Sequence, residues 1–309
     1  MRKNMTVAVV GMGALGMLFG NIIQREIGEN NFAFVMDEKR YKKNAKKEFT
    51  INGQRVDLHM MPVSKAYFVD LVIVAVKYPG LEEALDTIAP LVGSETIILS
   101  LLNGITSERI LADRFGEEHV IDCVAQGMDA MHFGASLIYT KTGQIHIGIA
   151  DDASEKKQYQ MTALCKFFHG IGFPYVVEDD IRYRMWCKFM LNVGVNQVCM
   201  AYGVGYGKAL RKNSKERMAL VSAMREVALI AQAEGISIGE KEVLEYLEIL
   251  ETLDPNATPS MGQDRINKHP SEVEAFAGEV MRLGKVHHIE TPTNDFLYHK
   301  IHKIEKTYV

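Results

Sequence analysis

Val9-Val10-Gly11-Met12-Gly13-Ala14-Leu15-Gly16 is a G-x-G-x-x-G stretch that leaves one apolar run, Thr6–Val10, and opens a helical pattern, Ala14–Arg25. Each glycine has a mechanical reason. Gly11 allows the tight turn, Gly13 lets backbone approach a pyrophosphate, and Gly16 lets the helix pack close to the strand. A pyrophosphate placed there sits on the helix N-terminus, where backbone N–H groups and the helix dipole favour negative charge. A glycine triplet alone is an ordinary turn. Here the strand, the helix and an acid closing the second apolar run, Phe32–Met36, stand at the spacing of a dinucleotide site. Gly11, Met12, Gly13, Ala14, Leu15 and Gly16 are therefore the expected cofactor-binding turn.

The acid is Asp37. A carboxylate at this place holds the ribose 2′-OH of NAD(H) and repels the 2′-phosphate of NADP(H). Lys39 and Arg40 follow at once and offer cations to a phosphate, so the residues leave both cofactors open. The plain alternative is a solvated loop that touches no cofactor.

Outward from this turn, Asp70–Val76 and Thr96–Leu101 are further strand-like runs, apolar at nearly every position, each followed by a helical stretch. Such runs suit a parallel sheet covered on both faces, because neither side meets water. The alternation predicts an α/β fold, a Rossmann-type doubly wound sheet. Asn52-Gly53 predicts a small hairpin, and Ala135–Ile149, with Lys141-Thr142-Gly143 at its middle, reads as a second one. Ligands of open α/β sheets bind beyond the carboxyl ends of the strands. Lys77 and Asn103-Gly104 stand at two such ends, as cofactor contacts or as polar residues that merely end a strand.

From about Ile181 strand-like runs give way to helical spacing over Tyr183–Met200, Ser214–Glu234, Glu240–Thr252, Glu272–Leu283 and Asn294–Lys306. Pro255, Pro259, Pro270 and Pro292 punctuate the later gaps. The expected division is a dinucleotide-binding domain over 1–180 and an all-helical substrate-binding and catalytic domain over 181–309.

Composition narrows the partners. The 309 residues are 47% hydrophobic and 24% charged, enough apolar side chain for a sizeable core and unlike a disordered chain. Lys+Arg 35 against Asp+Glu 39 shows no basic excess, so a small molecule is expected and nucleic acid is not. Cys123, Cys165, Cys187 and Cys199 are scattered with no metal-ligand spacing and read as reduced thiols. Arg2 and Lys3 ahead of the apolar run Val7–Phe19 imitate a leader. The run is short for a membrane span, is broken by three glycines, and has no small-residue cleavage site after it. A cytoplasmic protein without a membrane partner is expected, and Met5, just before the first strand, is a second candidate start beside Met1. His287-His288 and His299-x2-His302 invite a metal reading. They lack a carboxylate or third ligand at helical spacing, so they read as surface residues and no metal is expected.

The most informative stretch of the second half is Trp186-Cys187-Lys188-Phe189-Met190-Leu191-Asn192-Val193-Gly194-Val195-Asn196. Lys188, Asn192 and Asn196 are four apart and stack on one face of an otherwise apolar helix. A lysine on a buried helix must be paired or face a ligand, and two asparagines add donors and acceptors that need partners. A cleft facing the cofactor domain would satisfy all three; otherwise Lys188 snorkels to solvent and the asparagines bond other helices. Ser260-Met261-Gly262-Gln263-Asp264 and Glu272 follow in a proline-bounded region, where each also serves as an ordinary helix-start residue.

Taken together, the G-M-G-A-L-G turn, V-A-V-K at Lys77, L-L-N-G at Asn103, W-C-K-F-M-L-N-V-G-V-N, S-M-G-Q-D with S-E-V-E, and I-E-T-P-T-N-D resemble the ketopantoate reductase (2-dehydropantoate 2-reductase) family over almost the whole chain. The resemblance implies reduction of a 2-keto acid, ketopantoate, to pantoate for pantothenate and coenzyme A synthesis. It implies NADP(H) as cofactor, with Lys77 in contact with it. Lys188 would be the general acid, with Glu272 beside it as a catalytic residue that also holds the substrate hydroxyl. Asn192 and Asn196 would bind the hydroxyl end of the substrate, Ser260 its carboxylate, and Asn103 would bridge cofactor and substrate. A homodimer is left open. The sequence departs from the family at Asp37, where many members carry an arginine for the 2′-phosphate, and this leaves NAD(H) possible. Two alternatives follow: an NAD-dependent enzyme for another bulky 2-keto or 2-hydroxy acid on the same fold, and a non-catalytic dinucleotide sensor.

Overall fold

The computed structural model describes residues 5–308; Met1, Arg2 and Lys3, named above, lie outside the described residues. Contacts divide the chain into two units. One runs to Leu102 and resumes over Ser107–Ile181; the other takes Asn103–Thr106 and continues from Arg182.

The first unit contains β1 (Val7–Val10), α1 (Ala14–Ile27), β2 (Phe32–Met36), α2 (Glu38–Asn44), β3 (Phe49–Ile51), β4 (Gln54–Val56), β5 (Met60–Pro62), β6 (Leu71–Val74), α3 (Leu81–Ile88) and β7 (Ile97–Ser100). It continues with α4 (Ser107–Phe115), β8 (Asp122–Met128), β9 (Met131–Phe133), β10 (Ser136–Ile138), β11 (Thr142–Gly148), α5 (Glu155–Gly170) and β12 (Tyr175–Val177). Five of the strands form a wholly parallel sheet in the order β5-β2-β1-β6-β7. Every residue of β1, β2, β6 and β7 is buried. Because side chains alternate across a strand, Val7, Val9, Leu71 and Ile73 enter one core with α1, while Ala8, Val10, Val72 and Val74 enter another with α3. Continuous apolar runs are thus what covering both faces of this sheet requires. The Rossmann-type architecture read from the sequence is present.

The two small hairpins differ in outcome. β3 and β4 pair antiparallel around Asn52 and Gly53, whose φ values of 49° and 78° are both left-handed. That is the backbone a two-residue hairpin turn with matching twist needs. The second expected hairpin, Ala135–Ile149, does not form. β10 pairs with β9 in one sheet, whereas β11 pairs with β8 and β12 in another. The reason is Asp129, whose carboxylate accepts the backbone N–H groups of Thr140 and Lys141 and the Thr140 hydroxyl. These bonds, with the Asp129 N–H donating to the Lys141 carbonyl at 3.3 Å, tie the 140–141 segment to the end of β8 and separate β10 from β11.

The second unit is helical: α6 (Ile181–Tyr202), α7 (Tyr206–Ala209), α8 (Lys215–Ala233), α9 (Glu240–Glu251), α10 (Ser260–Asn267), α11 (Glu279–His287) and α12 (Pro292–Glu305). α6 is its centre, with Trp186, Phe189, Met190, Val193 and Val198 buried around the helix circumference. A helix this widely apolar must be surrounded, and the polar residues it carries need partners. A buried polar network ties it to two neighbours. Gln197 on α6 donates to Asn294 Oδ1 at 3.0 Å, and Glu226 on α8 accepts from Asn294 Nδ2 and from the backbone N–H groups of Thr293 and Asn294 at 2.7–2.9 Å. Glu226 thereby satisfies two of the donors that begin α12, which has Pro292 at its first position. Among the described residues, no helix is long and apolar enough to cross a membrane.

The expected continuous helix Glu272–Leu283 is modified at its start. α11 begins at Glu279 and is preceded by a π turn over Glu274–Gly278, closed by Gly278 N–H donating to the Val273 carbonyl at 3.0 Å. The extra residue in that turn lets Ala275, Phe276 and Ala277 stay fully buried, with the Phe276 ring 6.3 Å from that of Phe189. Single π turns of this kind recur where a helix bears functional side chains.

Candidate active site

In the first unit, the chain turns from β1 into α1 at Gly11, whose φ is +109°. A Cβ there would lie 2.5 Å from the Ala75 carbonyl, and one at Gly16 would lie 2.1 Å from the Gly11 oxygen. Met12 and Gly13 complete the turn, and Ala14 and Leu15 open the helix. Gly13, the N-cap, supplies no side-chain acceptor to the first N–H groups of α1. A glycine turn tightened to this degree, ahead of a helix start without a side-chain cap, fits a bound pyrophosphate.

Asp37 directly follows β2 and is the N-cap of α2, its Oδ1 accepting the Arg40 N–H at 2.8 Å. The Arg40 guanidinium stands 3.1 Å from Asp37 Oδ2 and donates to Glu83 Oε2 at 2.9 Å. Lys77 is exposed, at the start of a 3-10 turn that follows β6. These residues, with the glycine turn, all belong to the first unit.

The polar stripe of α6 is assembled within the second unit into two hydrogen-bonded chains. In one, Lys188 Nζ donates to Asn103 Oδ1 at 3.1 Å, and Asn103 Nδ2 donates to Glu272 Oε2 at 3.0 Å. In the other, Asn196 Nδ2 donates to Asn192 Oδ1 at 3.1 Å, while Asn196 Oδ1 accepts from the Ser260 hydroxyl at 3.0 Å and the Met261 N–H at 3.2 Å. Asn192, Asn196 and Glu272 are buried, Lys188 and Asn103 half-buried, and Ser260 exposed. Helical repeat explains half of this: residues four apart share a face, so Lys188, Asn192 and Asn196 align. The other half comes from loops. Asn103 leaves the end of β7 yet groups with the helical unit, Ser260 starts α10, and Glu272 precedes the π turn. The amide of Asn103 thus fixes the direction of the Lys188 amine and is itself fixed by the Glu272 carboxylate, an arrangement that can orient a proton donor.

Two features lay outside the sequence reading. Glu83, a partner of Arg40 in space, is 43 residues away along the chain, and nothing local marks it. Contrary to the expectation for the histidines, carboxylates do stand at helical spacing from them. Asp295 lies 3.5 Å from His299, and Glu305 lies 3.6 Å from His302, each one turn away on α12. The first pair is exposed and the second half-buried, and among the described residues no group of three or more such side chains gathers as metal ligands.

A glycine turn shaped for a pyrophosphate is the part that an enzyme using a dinucleotide needs. A sequence profile described as Ketopantoate reductase PanE/ApbA matches residues 7–152, and one described as Ketopantoate reductase PanE/ApbA C terminal matches residues 180–305. The chain belongs to the ketopantoate reductase family, whose members are NAD(P)-dependent enzymes acting on a CH–OH group. It is 23% identical over 308 residues to a 2-dehydropantoate 2-reductase of Streptococcus pyogenes serotype M3, covering 97% of this chain and 98% of the relative. Among solved structures, it is similar to a D-mandelate dehydrogenase in ternary complex with NADH and anilino(oxo)acetate, with TM-score 0.82 and 25% identity over 98% of both chains. The fold is shared with the dimeric ketopantoate reductase of Staphylococcus aureus, with TM-score 0.80 and 20% identity over 98% of this chain and 99% of that one.

Proposed function

We propose that the protein reduces the keto group of a 2-keto acid, 2-dehydropantoate, to the 2-hydroxy acid pantoate, as a cytoplasmic step toward pantothenate and coenzyme A. The observation that carries this reading is the Lys188–Asn103–Glu272 chain. A bound reduced nicotinamide supplies the hydride. As the new C–H bond forms, the carbonyl electron pair moves onto oxygen, and Lys188 stabilises that charge and gives up a proton to form the hydroxyl. Lys188 is left as the amine and regains its proton from water. Asn103, anchored by Glu272, fixes the direction of the ammonium. Glu272 also holds the substrate hydroxyl, with Asn192 and Asn196 at the same end, and Ser260 meets the carboxylate. The first unit holds the dinucleotide, through Gly11–Gly16 at the pyrophosphate, Lys77 beside it and Asp37 at the ribose.

A second reading is an NADH-dependent enzyme for another bulky 2-keto acid. Asp37 favours it, because a carboxylate next to a 2′-phosphate is repulsive, as does the likeness to a mandelate dehydrogenase that holds NADH. Both readings are tested by following nicotinamide absorbance with 2-dehydropantoate and with aromatic and branched 2-keto acids, each with NADH and NADPH. Fastest turnover with 2-dehydropantoate supports the first reading and preference for an aromatic 2-keto acid the second. No turnover with any 2-keto acid defeats both.

A further inference from the structure

Arg40 occupies an unusual place for a cation beside an expected ribose site. Its backbone N–H and guanidinium both face Asp37, and its other terminal nitrogen is taken by Glu83 in the first turn of α3. One guanidinium therefore lies between two carboxylates, and the trio carries a net negative charge. Asp37 Oδ2 is buried and lacks a hydrogen bond of good geometry, although Arg40 lies within ion-pair distance. Arginine is the residue best shaped to grip a phosphate, through two parallel N–H donors. Here both terminal nitrogens are already directed at carboxylates.

We infer that Glu83 is a selectivity residue for the cofactor: by holding Arg40 against Asp37, it denies a 2′-phosphate this guanidinium and so disfavours NADP(H). The inference rests on the reading that the ribose of the dinucleotide falls at Asp37. Two effects combine. The carboxylate of Asp37 repels the 2′-phosphate directly, and Glu83 removes the cation that would offset that repulsion. The Arg40 and Glu83 side chains are 53% and 66% exposed, so the pair is weak, and freeing Arg40 is worth about fivefold in affinity. Arg40 released in this way lies on the same first turn of α2 that Asp37 caps, within reach of whatever Asp37 touches.

Titration calorimetry of the whole protein with NAD+ and NADP+ tests this. Glu83→Gln is expected to tighten NADP+ about fivefold at low salt while leaving NAD+ within twofold, and the gain should shrink at high salt. In Glu83→Gln/Arg40→Ala the gain should disappear, since it acts through Arg40. A gain that survives loss of Arg40, or unchanged NADP+ affinity in Glu83→Gln, overturns the role of Glu83. Asp37→Ser, which keeps a helix-capping oxygen, separates the two levels. If it tightens NADP+ while Glu83→Gln does nothing, the ribose reading stands and the lock fails. If it changes neither cofactor's affinity, the ribose reading fails and the lock falls with it.

Discussion

Lys188 is the residue to which the proposed reaction assigns proton donation, and its position shows how far side-chain spacing reaches. Four-residue intervals place it in line with Asn192 and Asn196, and the apolar surroundings of α6 demand that its charge be accounted for. The account is given by Asn103, 85 residues earlier, and through it by Glu272. Lys188→Ala is expected to lower kcat by about 10²–10⁴-fold, the usual contribution of a positioned proton donor, with the dissociation constant for dinucleotide unchanged. Steady-state kinetics together with a cofactor titration check this. Lys188→Arg should not restore turnover, because a guanidinium holds its proton far too tightly to deliver it. Wild-type turnover in either variant removes Lys188 from the reaction.

Elements follow their own rules, and the departures have local causes. The apolar strands were legible because a sheet covered on both sides leaves no polar positions. The hairpin expected over Ala135–Ile149 was not, because one carboxylate, Asp129, redirects the chain from a distance along the sequence. The π turn ahead of α11 was equally hidden, since its apolar spacing still resembles a helix. α9 offers an element-scale prediction. Glu242 accepts the Gly239 N–H at 2.7 Å, and this bond to the charged carboxylate holds the Glu242 carboxyl below its ordinary value of 4.5. A carboxyl depressed in the folded state stabilises above its unfolded value and loses that contribution as pH falls through the folded one. Glu242→Ala should therefore cost about 1 kcal/mol at pH 7, the usual worth of a helix-start bond. The gap to the parent should close on acidification below pH 4.5. Thermal midpoints measured across pH report it, and a gap that does not narrow in acid refutes the assignment.

At the scale of the molecule, a ligand that binds only the folded chain stabilises it by mass action. NADH or NADPH, whichever binds, should add about 2.7 kcal/mol when present at about 100 times its dissociation constant. The rise in thermal midpoint should be lost in Gly16→Ala, where a Cβ has no room against the Gly11 oxygen. A full shift in that variant would show that the glycine turn does not hold the cofactor. Read along the chain, local rules were enough for the parallel sheet, the helical second half, the glycine turn and the lysine–asparagine stripe. Backbone sterics and hydrophobic period act between near neighbours, and a linear sequence records near neighbours directly. The amide bridge from Lys188 to Glu272, the grouping of Asn103 with the helices, the Glu226–Asn294–Gln197 network and the clasp of Arg40 by Glu83 were set by folding. Each is a contact between residues tens of positions apart, made at a distance of a few ångströms, and no interval along the chain encodes that approach.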